Sequence, residues 1–268
     1  MVHYLLRSHV EQSARLIISD ILYYFFIVAA VIICSFLVYR RLIDGGMEKS
    51  RVRWFAVLAL VFVLPVSIMG GRAVTIFYYP PSQWSIGFFI EKFLHENMIT
   101  YHGGFALLIL FFSVVIFLLR LPFGRTWDIV FIYLPVGHAV GRIGCLMAGC
   151  CWGGHLRCRF FGDYYYFNNP VPLYEIIFLS ALHVVLNKSY AIMEKKDLQE
   201  SFRGTIVSLY LVLYGIFRYL IEFIRTEKRI FGGQTQAQMA MIIFIAAGIF
   251  IMTLIFARNN GFRYKQKM

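Results

Sequence analysis

Charged residues are scarce in this sequence. They make up 15% of the 268 residues, whereas 60% are hydrophobic, and the mean hydropathy is +0.69. Soluble domains of this length carry about a quarter charged residues, so the composition excludes an ordinary soluble domain and indicates a polytopic membrane protein. The sequence also lacks low-complexity linkers and repeats, and we predict a single integral membrane domain over residues 1–268.

Cysteines and acidic residues are also few. Only five cysteines are present and four of them lie within residues 145–158, which excludes a framework of structural disulfides. With 14 acidic and 26 basic residues the formal net charge is +12. Basic residues of membrane proteins gather on cytoplasmic loops beside anionic lipid, so this charge does not indicate nucleic-acid binding. The N-terminal segment lacks the pattern of a cleaved signal peptide, and we expect none.

Seven apolar segments are candidates for crossing a membrane, where a helix needs about 20 residues. They are residues 16–39, 54–79, 104–119, 127–151, 171–187, 204–224 and 237–257. Fifteen lysines and arginines lie in one set of connecting segments and the tail, and eight lie in the opposite set. By the positive-inside rule the N-terminus is outside and the C-terminus is cytoplasmic. We therefore predict an all-α membrane protein with about seven transmembrane helices.

Three arginines lie inside these predicted spans, namely Arg72, Arg142 and Arg218. Because an arginine in lipid is costly unless it is paired or lines a wet cavity, the default interpretation is functional. The rise per residue of a helix places all three at a similar depth in the outer half of the bilayer. A shared anionic ligand explains this common depth better than three arginine side chains that each extend independently to the membrane–water interface.

The late span carries polar residues at helical spacing. Tyr214, Arg218 and Glu222 follow one another at steps of four, and Arg225 comes three residues later. These spacings predict one helix face, on which Glu222 pairs with Arg218 or Arg225. An isolated structural salt bridge is the alternative interpretation.

His102 stands at the outer end of the third predicted span. It is followed by Gly103 and Gly104, which let backbone or ligand approach closely. Histidine is the side chain best suited to proton transfer near neutral pH, so His102 is a candidate for that role. His138 in the fourth span is a weaker candidate, because nothing flanking it indicates a ligand site. For either histidine the alternative is a purely local structural role.

The segment GRIGCLMAGCCWGG (141–154) concentrates glycine and cysteine around Arg142. The pairs Gly137–Gly141 and Gly149–Gly153 have the GxxxG spacing that lets helices, or a helix and a lipid, come close. Helical spacing also places Cys145 and Gly149 on the face of Arg142. Four interpretations stay open for Cys145, Cys150, Cys151 and Cys158. The first two are a metal site, although C-x-x-C spacing is absent, and a Cys151–Cys158 disulfide. The other two are soft packing residues, which is the default, and a nucleophile activated by arginine.

Ordered motifs along most of the chain resemble those of the prolipoprotein diacylglyceryl transferase family of bacterial inner-membrane enzymes. They are IMGGRAVTIFYY (68–79), YHGG (101–104), GRIGCLMAGCCWG (141–153), PVPLYE (170–175), YGIFRYLIEFIR (214–225) and TQAQ (235–238). The predicted seven spans with the N-terminus outside agree with that family. Its best-described members have asparagine and glutamate where this chain has Cys145 and Cys150, so the signature here is a cysteine-rich variant. Tyr23 or Tyr24 matches the family's early tyrosine.

The resemblance implies transfer of a diacylglyceryl group from phosphatidylglycerol to the lipobox cysteine thiol of a preprotein, with release of glycerol phosphate. It implies that Arg142 and Arg218 hold the lipid phosphate, and that His102 helps to take the thiol proton. Tyr214 and Glu222 are then supporting catalytic residues. The substrate-binding residues implied are Arg72, Gly103, Gly104, Gly141, Cys145, Gly149, Gly153, Tyr174 and Glu175. No cofactor, metal or nucleic acid is implied; the partners are phosphatidylglycerol, a lipobox preprotein and membrane lipids.

The same resemblance implies a location in the bacterial cytoplasmic (inner) membrane, with the site open to the outer leaflet. Three alternatives to the transferase stay open. The first is a phospholipid-dependent transferase with a different acceptor, and the second is a lipid-binding or transport protein without chemistry. The third is a membrane thiol oxidoreductase that uses Cys150 and Cys151.

Overall fold

The computed structural model describes residues 2–74, 79, 81–83, 85–95, 100–160, 163–225 and 229–265, and helices predominate among them. The helices are α1 (Val2–Asp44), α2 (Lys49–Ala73), α3 (Ile86–His95), α4 (Tyr101–Leu118), α5 (Phe123–Met147), α6 (Val171–Lys195), α7 (Thr205–Ile221) and α8 (Gln236–Lys265). Two antiparallel hairpins pair β1 (His155–Phe160) with β2 (Asp163–Asn168) and β3 (Arg229–Phe231) with β4 (Gln234–Thr235). Short 3-10 turns occupy Pro81–Gln83 and Glu222–Ile224.

The predicted all-α, polytopic fold is confirmed. Within the described residues, six helices are long and apolar enough to cross a membrane: Ile18–Asp44, Lys49–Ala73, Phe123–Met147, Val171–Lys195, Thr205–Ile224 and Gln236–Asn259. The remaining predicted span corresponds to a shorter apolar helix, His102–Leu118. At 1.5 Å per residue it is about 26 Å long, close to the thickness of a hydrocarbon core.

Some boundaries and elements differ from the sequence predictions. The fourth predicted span ran to residue 151, but α5 ends at Met147. The second ran to residue 79, but α2 ends at Ala73, and residues 75–78 lie outside the described part. The two hairpins were not predicted; their strands have only two to six residues. The orientation in the membrane stays a prediction.

Packing divides the chain into two compact units. One consists of Met1–Cys34 and Val130–Met268, and the other of Ser35–Ile129. The interpretation of the whole chain as one integral membrane domain stays a prediction beside this division.

In the unit Ser35–Ile129, helices α2 and α4 pack through glycine. A Cβ on Gly70 would lie 2.4 Å from the carbonyl oxygen of Gly103, and one on Gly104 would lie 2.6 Å from that of Ser67. These distances leave no room for any side chain. Thr100 fixes the start of α4 to the end of α2, because its hydroxyl donates to the carbonyl oxygen of Gly71 at 2.9 Å.

In the other unit, stacked aromatic rings and buried hydrogen bonds hold α5, α6, α7 and α8. Phe178 on α6 and Phe217 on α7 stack with ring centroids 3.8 Å apart. The Ser208 hydroxyl on α7 donates to the carbonyl oxygen of Gly248 on α8 at 2.8 Å. His183 on α6 donates through Nδ1 to the carbonyl oxygen of Ile132 on α5, also at 2.8 Å. These contacts bring α5, α6 and α7, which carry most candidate site residues, into one cluster.

Candidate active site

Glu175 joins two of the arginines that the sequence singled out. Its side chain is fully buried near the start of α6. Both of its carboxylate oxygens contact Arg142 on α5: Oε2 lies 2.6 Å from Nε, and Oε1 accepts a hydrogen bond from Nη2 at 3.1 Å. The same Oε1 lies 3.7 Å from Nε of Arg218 on α7. One carboxylate therefore holds Arg142 and Arg218 side by side.

A second carboxylate extends this arrangement. Glu222 forms a hydrogen-bonded ion pair with Arg218, and its Oε2 lies 3.6 Å from Nε of Arg225. The sequence predicted a pair with one of these arginines, and the structure forms both. Oε1 of Glu222 also accepts a hydrogen bond from the hydroxyl of Thr235 at 3.0 Å. We call Arg142, Glu175, Arg218, Glu222 and Arg225 the arginine network.

Within the five side chains of the arginine network, three guanidinium groups face two carboxylates. The guanidinium-bearing side chains are only 15%, 10% and 11% exposed, and the carboxylate side chains at most 1%. Buried charges need partners of opposite sign, since removing them from water costs several kcal/mol per ion. Arg142 and Arg218, which share one carboxylate, are therefore placed to bind an anion together.

Thr235 connects this network to the last membrane helix. Its hydroxyl accepts a hydrogen bond from the backbone N–H of Gln238 at 3.2 Å, and Oε1 of Gln238 accepts one from the N–H of Thr235 at 3.0 Å. This reciprocal pair is a capping box, which satisfies N–H groups at a helix start. The motif TQAQ (235–238) thus starts α8 and orients Glu222 with the same hydroxyl.

Replacing Thr235 with valine is expected to destabilise the protein by about 1–2 kcal/mol, because the helix cap is lost. The bond to Glu222 is lost at the same time. Thr235→Ser keeps the hydroxyl and should stay close to the wild type. Thermal unfolding of both variants in one detergent would check this, and equal stability of Thr235→Val and Thr235→Ser would contradict the assigned role.

Ring-bearing side chains lie one helical turn before Arg142 on α5 and before Arg218 on α7. Tyr214 is buried on α7, four residues before Arg218, and its ring stacks on Tyr210 with centroids 5.3 Å apart. The ring of His138, four residues before Arg142, meets Tyr214 edge to face at 5.5 Å. His138, the weaker candidate in the sequence, thus belongs to the same unit as the arginine network.

Cys145, Cys150 and Cys151 come together where α5 ends. The Sγ atoms of all three lie within 4.8 Å of one another. Nη1 of Arg142 donates to Sγ of Cys145 at 3.8 Å, as their predicted common helix face requires. Gly149 is not on that face, because it follows the end of α5. We call the three thiols the cysteine cluster.

The cysteine cluster lies partly outside the membrane-spanning helix. A hydrogen bond from Cys145 lowers the pKa of Cys151 to about 5, and the nearby Arg142 guanidinium acts in the same direction. Burial and the neighbouring Cys151 raise the pKa of Cys150. Cys151 is a free thiol in the structure, so the Cys151–Cys158 disulfide is not supported. The side chain of Cys158 lies outside the described part of the chain.

Gly153 lets the segment after the cysteine cluster pack closely against Asn169, just before α6, and against Ile224 in the 3-10 turn after α7. Its N–H donates to the carbonyl oxygen of Asn169 at 2.8 Å, and a Cβ in its place would lie 2.5 Å from the carbonyl oxygen of Ile224. The interpretation of Gly149–Gly153 as a helical GxxxG pair is wrong, because neither residue is in a helix. Gly141, by contrast, has no atom near the position of an added Cβ.

Replacing Gly153 with alanine is expected to destabilise the protein by about 1–3 kcal/mol, the usual cost of overpacking. Gly141→Ala is the matched control in helix α5, and it should be as stable as the wild type or up to about 1 kcal/mol more stable, because alanine is the better helix former. Thermal unfolding in detergent would compare them. Equal midpoints for the two variants would contradict the close contact at Gly153.

Helix α1 presents Tyr23, rather than Tyr24, to the site. A Cβ on Gly144 would lie 3.2 Å from the carbonyl oxygen of Tyr23, so α1 and α5 are in contact at this level. Tyr24 is 65% exposed on the outer side of α1. Tyr23 is therefore the better match for the early tyrosine. Tyr174, next to Glu175 on α6, is partly exposed.

Arg72, His102, Gly103 and Gly104 belong to the unit Ser35–Ile129. Nη1 of Arg72 donates to the carbonyl oxygens of Phe93 and Leu94 at 3.4 and 3.5 Å, so it caps the C-terminal end of α3. The two glycines serve the contact of α4 with α2 described above. His102 is partly buried at the start of α4. A shared role of Arg72 and His102 with the arginine network stays a prediction.

The sequence did not identify Glu175 as the partner of two arginines or Thr235 as a partner of Glu222. A carboxylate inside an apolar helix was the available signal for Glu175, because a buried acid almost always has a cationic partner. For Thr235 the signal was the T-x-x-Q spacing of a capping box.

Comparisons with known proteins identify the family of this chain. Residues 15–254 match the family model described as prolipoprotein diacylglyceryl transferase. A protein of Ehrlichia ruminantium (strain Welgevonden), named phosphatidylglycerol–prolipoprotein diacylglyceryl transferase, is 31% identical over 208 residues, covering 72% of this chain and 77% of the relative. Proteins with the same name from Bordetella bronchiseptica and Finegoldia magna are each 26% identical, covering 80% and 72% of this chain and 83% and 75% of the relatives.

The match extends over the helices that carry both the arginine network and the cysteine cluster. These relatives are named as transferases. The chain is a multi-pass membrane enzyme that belongs to the prolipoprotein diacylglyceryl transferase family.

Proposed function

We propose that the protein transfers a diacylglyceryl group from phosphatidylglycerol to the thiol of the lipobox cysteine in a prolipoprotein. The observation that carries the proposal is that one carboxylate, Glu175, holds the buried guanidinium groups of Arg142 and Arg218 side by side. Phosphatidylglycerol brings one phosphate anion and an apolar diacyl tail, which suit a cationic site among membrane helices. The names of the relatives support the same donor and acceptor.

The reaction exchanges one bond to carbon for another. The acceptor thiol loses its proton, and its sulfur forms a bond to the glyceryl carbon that carried the phosphate. The bond between that carbon and the phosphate oxygen breaks, and its electron pair stays with oxygen. Glycerol phosphate leaves, and a thioether remains on the prolipoprotein. Negative charge therefore increases on the departing phosphate as the reaction proceeds.

Arg142 and Arg218 are proposed to bind this phosphate. Fixed guanidinium groups in a site shielded from water stabilise developing charge without reorganisation. Their planar donors suit phosphate oxygens better than the ammonium of lysine. Glu175 contacts both arginines and Glu222 contacts Arg218, so the two carboxylates act as positioning residues. Tyr214 is proposed to line the same pocket.

His102 is proposed to accept the proton of the acceptor thiol, since imidazole is a suitable base near neutral pH. Gly103 and Gly104 then act by fixing the start of α4 against α2. The reaction is proposed to take place at the outer leaflet of the bacterial cytoplasmic membrane. The distribution of basic residues, which predicts an external N-terminus, supports this orientation.

A defined reaction tests the function. Purified protein in nanodiscs that contain phosphatidylglycerol would be incubated with a lipobox peptide, and with the same peptide carrying serine in place of the acceptor cysteine. We expect a diacylglyceryl mass gain on the cysteine peptide alone, and its loss with His102→Ala. Modification of the serine peptide would indicate a different acceptor. Lipid binding without any peptide modification would indicate a binding or transport protein.

A further inference from the structure

The cysteine cluster has the dimensions of a metal site. Its three Sγ atoms lie within 4.8 Å of one another. In a tetrahedral zinc site with Zn–S distances of about 2.3 Å, the sulfur atoms are about 3.8 Å apart. Small side-chain rotations would therefore bring the three sulfur atoms onto one ion. The spacing of the cysteines does not reveal this, because two of the three lie beyond the end of α5.

The backbone after α5 is shaped to bring the thiols together. Gly149 has φ = 65°, and the N–H groups of Gly149 and Cys150 donate to the carbonyl oxygens of Leu146 and Cys145 at 3.2 and 3.0 Å. This is the Schellman motif, which reverses the chain at a helix end and here returns Cys150 to the level of Cys145.

Cys151 has an unusual backbone conformation. Its φ is 63°, which costs a non-glycine residue roughly 1–2 kcal/mol. Such strained positions concentrate at functional sites and ligand clamps. The left-handed turns at Gly149 and Cys151, two residues apart, together direct three thiols from one short segment toward a common point.

The charges around the cysteine cluster suit a metal–thiolate group. Three thiolates and a divalent ion carry a net charge of −1. Arg142 donates to the sulfur of Cys145, so a guanidinium group lies beside this negative charge. Cys145 is buried, whereas Cys150 and Cys151 are partly exposed, so an ion can enter from their side.

We propose that Cys145, Cys150 and Cys151 bind one Zn²⁺ ion as a three-thiolate site with an open fourth position. Zinc prefers thiolate ligands, and a site with three protein ligands leaves its fourth position for water or another small ligand.

Zinc binding is tested without lipid or peptide. The full chain in detergent would be reduced, loaded with Zn²⁺, desalted and assayed for metal by mass spectrometry. We expect one zinc per chain for the wild type, and strongly reduced zinc for Cys150→Ser and Cys151→Ser. Cys34→Ser is the matched control, because Cys34 contacts Tyr133 and not the cluster; it should keep the full zinc content. Wild-type zinc content in Cys150→Ser would overturn the proposal.

Two further readouts do not depend on whether a variant folds. Zinc should protect Cys145, Cys150 and Cys151 of the wild type, but not Cys34, from alkylation. Co²⁺ in place of zinc should give the intense near-ultraviolet absorption of cobalt–thiolate bonds. Alkylation unchanged by zinc would overturn the site. Loss of zinc from Cys158→Ser would overturn the open fourth position, because that cysteine would then complete the site.

Discussion

Replacement of Arg142 with alanine is expected to lower the rate of diacylglyceryl transfer at least about 100-fold, the usual effect of removing one donor to developing negative charge. Arg142 is mostly buried and held by both oxygens of Glu175, so its guanidinium is fixed before the lipid binds. Because charge on the phosphate increases during the reaction, the loss should affect kcat more than KM for phosphatidylglycerol. Peptide mass gain over time at several lipid concentrations would measure both constants.

Two comparisons separate this effect from unfolding. Arg142→Lys keeps the charge but not the paired donors, and it should recover only part of the activity. Arg203→Ala removes an arginine that is 52% exposed and paired with Glu200, and it should retain wild-type activity. If Arg142→Ala transferred the lipid as fast as Arg203→Ala, the proposed phosphate site would be wrong.

Replacement of Glu175 with glutamine is expected to destabilise the protein by about 3 kcal/mol or more, the effect of removing one partner of a buried ion pair. The substitution keeps the shape of the side chain but leaves Arg142 and Arg218 without their shared counter-ion. The net charge of the five side chains of the arginine network would become more positive by one. Thermal unfolding in a neutral detergent would measure the loss.

The same variant tests the network as an anion site. Added phosphatidylglycerol should raise the unfolding temperature of Glu175→Gln more than that of the wild type, because the lipid phosphate replaces part of the lost negative charge. Glu200→Gln is the control, since that side chain is 75% exposed and its pair with Arg203 contributes little. A Glu175→Gln protein as stable as Glu200→Gln would contradict the central role of Glu175.

The sequence predicted those features that depend on local pattern. Apolar length identified the membrane helices, and spacing by four predicted the contact of Arg218 with Glu222. The cost of an arginine in lipid singled out Arg142 and Arg218, which the structure joins through Glu175. Arg72 was selected by the same argument; its guanidinium donates to backbone carbonyl groups at the end of α3, and its role in the site stays a prediction.

Other features depend on backbone geometry that residue spacing does not encode. The cysteine cluster forms because Gly149 and Cys151 take left-handed conformations, and the sequence of Cys145, Cys150 and Cys151 gives no C-x-x-C pair to indicate it. Glycine spacing was misleading in the same segment. Gly149–Gly153 has the period of a helical contact, but the Schellman turn ends the helix before it.

The mutual contact of Gly70 and Gly103 restricts how His102 can move. Each glycine occupies the space in which the other would place a Cβ, so sliding α4 along α2 by one residue would drive a side chain into a carbonyl group. The helices α2 and α4 are therefore expected to move together as one rigid pair. A displacement of the start of α4, where His102 lies, therefore also displaces the end of α2, and Arg72 links the end of α2 to α3.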